Sequence, residues 1–315
     1  MTAASGRMRR VTQQQFGGAE VLEVVEVDRP EPGPTEALVR VHAAGVNPVD
    51  WASRAEEIFL GQPPFTLGWD VSGVVEEIGD GATGVAVGDH VVGLPWFPRE
   101  AAAYADYVTA PSRQFVPKPA NMSHVQAAGL PLAGLTAWQC LVDVAEVSPG
   151  QRVLIDAAAG GVGHLAVQIA KARGAYVLGT ASEAKHTLLR SIGVDEPIDY
   201  RDATADPGGL DLVVGLVGED SDRRWLDFIK PDGLLVGVLS GVPADLEALA
   251  HSRGIRTARM LVEPDRVGLL GLTELVESGA LTVQIQQTFP LEQVAEAHRT
   301  GESGRTTGKL VLTMT

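Results

Sequence analysis

Cysteine is nearly missing from this 315-residue chain: Cys140 stands alone. One thiol excludes an intramolecular disulfide, a Cys-x-x-Cys redox pair and a cysteine-rich zinc lobe. Within Leu135-Thr-Ala-Trp-Gln-Cys-Leu141 it reads as a small buried apolar residue. Positive charge is also scarce, with 25 Lys and Arg against 40 Asp and Glu and a formal net charge of −15. Beyond the short Met8-Arg9-Arg10 run there is no basic block, so nucleic acid and anionic membrane surfaces are repelled. No uninterrupted apolar run approaches the roughly 20 residues of a spanning helix. Residues 1–7 lack the apolar segment of a signal peptide and read as a flexible extension of a cytoplasmic protein. The histidines show no short ligand spacing such as His-x-x-x-His, and each reads as a surface or packed imidazole. No serine or cysteine sits in a Gly-x-Ser-x-Gly elbow. Glu76-Glu77 reads as a solvated strand end rather than a glycosidase pair.

Glycine, by contrast, is plentiful, and one stretch puts it to chemical use. Val153, Leu154 and Ile155 form a short apolar run after Ser148-Pro149-Gly150, as expected of a strand buried on both faces of a parallel sheet. Val162, Leu165, Ala166 and Ile169 then recur at helical spacing. Between strand and helix lie Gly160, Gly161 and Gly163, where the backbone can turn tightly and approach a pyrophosphate. This is the dinucleotide fingerprint with Ala158 in place of its first glycine, in the strand-turn-helix context the motif demands. Ala159, Gly160, Gly161, Val162 and Gly163 are expected to present helix-start N–H groups to the anion.

Around that stretch the patterning changes twice. From Val11 to about Ser123 it is β-rich and punctuated by turns such as Asp80-Gly81, which predicts a compact, partly open β-barrel. From about Val125, strands alternate with helices: after Val153–Ile155 come Ala175–Gly179, Pro197–Tyr200, Leu210–Val217, Leu234–Leu239 and Ile255–Val262. A helix over Ser221–Lys230, capped by Ser221 and stopped by Pro231, fits between two of them. The class is α/β, a Rossmann doubly wound parallel sheet with its ligand across the carboxyl ends of the strands. The tail, with helices over Arg266–Gly279 and Leu291–Arg299 and strands over Val283–Phe289 and Lys309–Thr313, returns to the first part. The expected division is 8–124 with 265–315 as a discontinuous catalytic domain and 125–264 as the dinucleotide domain, with a cleft between them.

Several blocks, in order, carry a resemblance that runs from Val11 to Leu312: Ala43-Ala-Gly-Val-Asn-Pro-Val-Asp50, Gly68-Trp-Asp-Val-Ser-Gly-Val-Val75, Leu130-Pro-Leu-Ala-Gly-Leu-Thr-Ala-Trp138, Ala157-Ala-Ala-Gly-Gly-Val-Gly163 and Gly308-Lys-Leu-Val-Leu312. The chain resembles the zinc-independent quinone oxidoreductase branch of the medium-chain dehydrogenase/reductase superfamily. The resemblance implies a GroES-like β-barrel catalytic domain, a Rossmann domain, a nicotinamide cofactor and a homodimer. The zinc-dependent branch holds its catalytic metal with a Cys, a His and a second Cys. The matching positions here, Asn47, Trp69 and about Leu132, supply neither thiolate nor imidazole, so no zinc is expected.

The resemblance also assigns roles. An acidic residue after the second strand would select NADH; Ala181 takes that place here, with Ser182 and Lys185 available to a 2′-phosphate and Tyr200 over the adenosine phosphate, so NADPH is expected. Glu183, about 20 residues past Gly163, stands at the distance of an NADH-selecting acid, but also reads as a first-turn carboxylate favoured by the helix dipole. Asn47 is the expected polar group near the substrate oxygen, with Thr136 at the nicotinamide end. The alternatives stay open: Asn47 as a turn residue before Pro48, and Thr136 as a helix cap. Pro48 and Trp51 are expected to shape the pocket, Tyr104 and Tyr107 to contact substrate or deliver a proton, and Leu216, Val217, Leu239, Ser240 and Gly241 to line the cofactor cleft. Two positions depart from the family pattern: Asp156, where relatives often carry His, and Gly215, where an aspartate is common. The implied activity is hydride transfer from NADPH to a quinone or α,β-unsaturated carbonyl. An enoyl thioester reductase and an NADPH-binding sensor without turnover are the alternatives.

Overall fold

The computed structural model describes residues 6–238 and 241–314. The first part of the chain runs through β1 (Arg7–Thr12), β2 (Glu23–Asp28), β3 (Glu36–Val46), α1 (Pro48–Ala55), β4 (Val71–Ile78), β5 (His90–Gly93), β6 (Tyr107–Pro111), β7 (Phe115–Pro117) and α2 (His124–Ala128). The middle alternates through α3 (Pro131–Trp138), β8 (Arg152–Ile155), α4 (Gly163–Ala172), β9 (Tyr176–Ala181), α5 (His186–Ser191), β10 (Glu196–Asp199), β11 (Leu210–Gly215), α6 (Glu219–Leu226), β12 (Ile229–Gly237), α7 (Ala244–Ser252) and β13 (Arg256–Arg259). The tail carries α8 (Arg266–Glu277), β14 (Ile285–Pro290), α9 (Val294–Glu302) and β15 (Lys309–Thr313). Two compact units result: Met1–Leu132, Glu263–Glu277 and Val283–Thr315 in one, Ala133–Val262 and Ser278–Thr282 in the other.

The first unit is the GroES-like one. Its main sheet has the order β14-β15-β3-β4-β5-β7, with β6 also paired to β3. The tail enters it directly, because β15 lies antiparallel on β3 with Leu310 opposite Val46 and Leu312 opposite Ala44. Val39, Val41, Val71, Val75, Phe115, Leu310 and Leu312 build the core, as the alternation along β3 predicts. Glu76 and Glu77 leave that sheet for solvent, where Arg40 (2.6 Å) and Arg29 (2.5 Å) pair with them. Of the extension expected over residues 1–7, Arg7 belongs to the fold. Arg7 begins β1, opposite Asp28, and bonds it at 2.9 Å; residues 1–5 lie outside the described residues. Helix α2, with Ser123 and Gln126 forming a reciprocal cap, packs on β3 and β4. That packing places residues 125–132 with the first unit rather than the second.

The second unit is a six-stranded parallel sheet of order β10-β9-β8-β11-β12-β13, the order 3-2-1-4-5-6 of a doubly wound dinucleotide fold. Residues 278–282 join it because Gln168 of α4 exchanges hydrogen bonds with Thr282, donating at 3.0 Å and accepting at 2.8 Å. Helix α6 corrects the expectation of a Ser221 cap and a Pro231 stop. Its cap is Gly218, whose φ of 123° only glycine adopts readily. The helix ends at Leu226, and Pro231 lies within β12. No helix among the described residues is long and apolar enough to cross a membrane.

Candidate active site

In the second unit the glycine-rich turn joins β8 to α4. Ala157 has a left-handed φ of 46°, and its carbonyl accepts from Gly160 N at 2.8 Å. A Cβ on Gly163 would lie 2.3 Å from Ala157 O and 2.8 Å from Ala158 Cα, so only glycine lets α4 seat on the turn. The alanine at the first fingerprint position is accommodated from the neighbouring strand. Ala158 Cβ fills the space that a Cβ on Gly179 would enter at 2.8 Å. At the start of α4, His164 N donates to Gly160 O at 3.1 Å and Leu165 N and Ala166 N to Val162 O at 3.1 and 2.9 Å, so the glycine turn ahead of the helix is the candidate seat for the pyrophosphate of a dinucleotide.

Both departures from the family pattern meet behind this turn. Asp156 is buried and tied down: Thr180 Oγ1 and Ser221 Oγ each donate to it at 2.5 Å, and Ala157 N at 3.1 Å. Beside it is Asp222 of α6, whose Oδ1 would stand 2.0 Å from a Cβ on Gly215. The carboxyl absent from residue 215 is thus replaced by one arriving from α6. Burial, with the charge of Asp156, pushes Asp222 up to about 7. Sequence reasoning missed Asp222, which looks like one of several acidic residues on an exposed helix.

Further along, Tyr200 N donates to Ala181 O at 3.3 Å, which brings two of the expected cofactor residues together. Tyr200 is exposed, with the Arg201 guanidinium 5.6 Å from its ring centroid. Ser182 precedes a short turn, Glu183–Lys185, and Glu183 sits in its first turn. Lys185 is half-buried, which lowers its pKa. Glu183, Glu196, Asp199, Asp202 and Asp206 line a cavity of about 410 Å³ beside these residues. Leu216 and Val217 follow β11, half-buried and exposed respectively. Gly241 has a φ of 77° and lies against Arg259; Leu239 and Ser240 lie outside the described residues. Thr136 is buried within α3.

The first unit holds a buried polar cluster centred on Asn47, the residue before α1. Asn47 N donates to Asp50 Oδ2 (2.6 Å) and Asn47 Nδ2 to Asp70 Oδ2 (2.8 Å). The other oxygen of Asp70 accepts from Leu132 N at 2.7 Å. Lys309, from β15, donates to Asn47 Oδ1 and, at 3.2 Å, to Val46 O. Burial pushes Asp70 up and Lys309 down, while each charge opposes the shift of the other. Two N–H donors on the carboxylate and two carbonyl acceptors on the ammonium favour the charged pair. Asp70 and Lys309 escaped sequence reasoning because their partners are remote in the chain, and Asp50 because a carboxylate in the first turn of a helix reads as a solvated cap.

Burial also pushes the Asp50 carboxyl up to about 7, against the pull of Asn47 N–H, the Tyr104 hydroxyl and Lys309. Tyr104 Oη and Asp50 Oδ1 have no partner of full hydrogen-bond geometry, yet each shifts the other. Between its ordinary 3.8 and about 7, native Asp50 keeps a proton that the unfolded chain releases. Stability contributed by this group therefore falls as pH rises through that window and levels off above it. Asp50→Asn keeps an acceptor for Asn47 N and cannot ionise. Its melting temperature relative to the natural protein should rise between about pH 4 and about pH 7; an unchanged difference would contradict the assignment.

Of the remaining expected pocket residues, Trp51 and Tyr104 meet at His298, while Pro48 and Tyr107 lie apart. Pro48 is exposed at the first position of α1. Trp51 packs on α9, edge-on to His298 at 6.4 Å and over Gly301. Tyr104 has no exposed surface and stacks edge-on to His298 at 5.9 Å. Tyr107 opens β6 beneath the Arg29 guanidinium, 4.5 Å from its ring centroid.

The expected zinc positions do not fit a metal. Asn47 offers an amide, Trp69 Nε1 donates to Arg99 O at 2.6 Å, and Leu132 contributes only its backbone N–H. No group of three or more His, Cys, Asp and Glu that could hold a metal ion occurs among the described residues. Three histidines that look unrelated in sequence do cluster: His42 stacks on His124 at 4.4 Å, and His90 Nδ1 lies 2.9 Å from His124 Nε2. Burial pushes His124 down to about 4, so it stays neutral near pH 7.

Comparison with known proteins agrees with this architecture. Residues 33–120 match the alcohol dehydrogenase GroES-like domain family and residues 192–312 the zinc-binding dehydrogenase family. A 2-haloacrylate reductase from Burkholderia sp is 34% identical over 94% of this chain and 96% of that protein. A quinone oxidoreductase from Pseudomonas aeruginosa is 33% identical over 96% of this chain and 99% of its own. The solved quinone oxidoreductase of Coxiella burnetii superimposes with a TM-score of 0.92 at 35% identity, covering 98% of this chain and all of that one (100%). With its GroES-like unit, its 3-2-1-4-5-6 sheet and these relatives, the chain belongs to the medium-chain dehydrogenase/reductase superfamily, as an oxidoreductase alongside the quinone oxidoreductases.

Proposed function

We propose that the protein is a metal-independent, NADPH-dependent reductase of quinones or α,β-unsaturated carbonyls, acting as a cytoplasmic homodimer. The observation that supports this reading is the buried cluster in which the Asn47 amide is bonded to Asp70 and Lys309, at a position where the zinc-dependent branch would carry a thiolate. Without a Lewis acid, little stabilises the alkoxide of a simple ketone. A quinone or enone spreads the incoming charge over a conjugated anion, so modest hydrogen-bond donors suffice. Bound at the Ala157–Gly163 turn, the nicotinamide nucleotide would supply the hydride. The chain's own part is to hold the phosphates on the glycine turn ahead of α4, exclude water, and offer the acceptor oxygen an N–H from Asn47. Thr136 is assigned to the nicotinamide end. The small Ala181 leaves room for a 2′-phosphate, with Ser182, Lys185 and Tyr200 as its partners, set against the carboxylates of the neighbouring cavity. The outer edge of β13, last in its sheet, offers a natural place for a second copy.

Purified protein incubated with NADPH and a panel of quinones, alkenals and crotonyl thioesters should oxidise NADPH with the first two, and NADH more slowly. Tight NADPH binding with no oxidation by any acceptor would overturn the enzymatic reading. Oxidation by thioesters alone would replace the substrate class.

A further inference from the structure

Lys309 is 3% exposed and Asp70 is fully buried, a costly placement for two charges unless they hold something in position. Lys309 Nζ faces three oxygens: Asn47 Oδ1, Val46 O at 3.2 Å and Asp70 Oδ2 at 3.7 Å. An ammonium can only donate and a carboxylate can only accept, so together they fix which way the Asn47 amide faces. A flipped amide would set NH₂ against NH₃⁺ and oxygen against oxygen. With Oδ1 taken by Lys309 and one N–H by Asp70, a single N–H of the amide is left to offer. A cation on the amide oxygen also draws electron density from the nitrogen and strengthens that N–H as a donor.

The cluster joins two of the positions that the resemblance matches to zinc ligands, Asn47 and Leu132. Asp70 bridges Asn47 and Leu132, and the positive charge beside them belongs to a side chain. We propose that Lys309 is a positioning residue for hydride transfer: its buried ammonium, anchored by Asp70, locks the Asn47 amide and polarises the one N–H that steadies negative charge on the acceptor oxygen. The proposal rests on the reading of Asn47 as the acceptor's hydrogen-bond donor. It assigns to an internal cation, acting through an amide, the electrostatic task that a metal performs in relatives.

Lys309→Met alone leaves Asp70 buried and unpaired and is expected to fold poorly. The informative variant is Lys309→Met with Asp70→Asn, which removes both charges together. It should melt near the natural protein and bind NADPH equally well. Its kcat with a quinone should fall by roughly tenfold or more, with KM changed far less. In an Asn47→Ala background the same pair of changes should lower kcat by less than about twofold, because the route runs through Asn47. An independent readout is the ¹⁵N–¹H signal of the Asn47 side-chain amide in the protein without cofactor. It should be shifted and protected from exchange in the natural protein, and should move toward free-amide values in the double variant. A folded double variant with unchanged kcat, or an equal loss in the Asn47→Ala background, overturns the proposal while leaving the reductase reading intact. An amide signal indifferent to Lys309 also overturns it. If no acceptor is reduced, the reductase reading fails instead, and the amide signal still decides whether Lys309 holds Asn47.

Discussion

Gly163→Ala should weaken NADPH binding about a hundredfold and destabilise the second unit. The added Cβ would meet Ala157 O at 2.3 Å, Ala158 Cα at 2.8 Å and Ala157 C at 2.9 Å. All three are backbone atoms, so no flexible side chain can yield, and the turn itself must shift. Overpacking of that kind costs about 1–3 kcal/mol. The shift also moves the amides meant for the pyrophosphate. Losing two charge-assisted hydrogen bonds at about 1.5 kcal/mol or more each weakens affinity on the order of a hundredfold. Gly209→Ala is the control, since it lies in the same unit away from the turn and its Cβ would meet only the flexible Lys230 side chain, at 3.0 Å. Cofactor titration by fluorescence alongside a thermal melt reads both effects. Near-natural NADPH affinity in Gly163→Ala would place the nucleotide elsewhere.

The second large effect is expected from Gly215→Asp, which restores the residue common in relatives and should nevertheless harm the protein. Its Cβ would lie 2.0 Å from Asp222 Oδ1 and 2.8 Å from Asp222 Cγ. A third carboxyl would then crowd Asp156 and Asp222, both about 1% exposed. Steric overlap and a buried like charge together predict a loss of about 3 kcal/mol or more. Asp222→Ala in the same chain empties the contested space and removes one charge. The double variant should recover most of the stability, a non-additivity that separates local exchange from general intolerance. Equal melting of Gly215→Asp and the double variant would refute the exchange.

The parts of this architecture legible in the sequence are those written in local pattern. The apolar run Val153–Ile155, the glycine turn and the helical spacing from Val162 lie within one strand-turn-helix unit, and β8, the turn and α4 follow them closely. The tail strand Lys309–Thr313 is equally plain, an apolar run after Gly308. Helix α6 was misread because the Ser221 hydroxyl looks like a cap, whereas the left-handed φ of Gly218 starts the helix and Ser221 Oγ is committed to Asp156. The Asn47 cluster illustrates the deeper difficulty. Asn47 and Lys309 are 262 residues apart in the chain and meet only because β15 pairs with β3. A lysine at the start of a strand reads as solvated, and no periodicity marks it as buried. The three clustered histidines and Asp222 were hidden for the same reason: side-chain partners brought together by topology leave no local spacing behind.

The account turns on hydride passing from a nicotinamide nucleotide held at the Ala157–Gly163 turn to a conjugated acceptor without metal. The most direct measurement follows deuterium from C4-deuterated NADPH into an alkenal, with a quinone as a second acceptor, using protein exhaustively treated with a chelator and checked for zinc. The account predicts deuterium on the β-carbon of the reduced alkenal with a solvent proton on its α-carbon, NADPH consumption with a quinone, and rates unchanged by the chelator. Activity lost on chelation and restored by added zinc, or no transfer from NADPH to any acceptor, would contradict it.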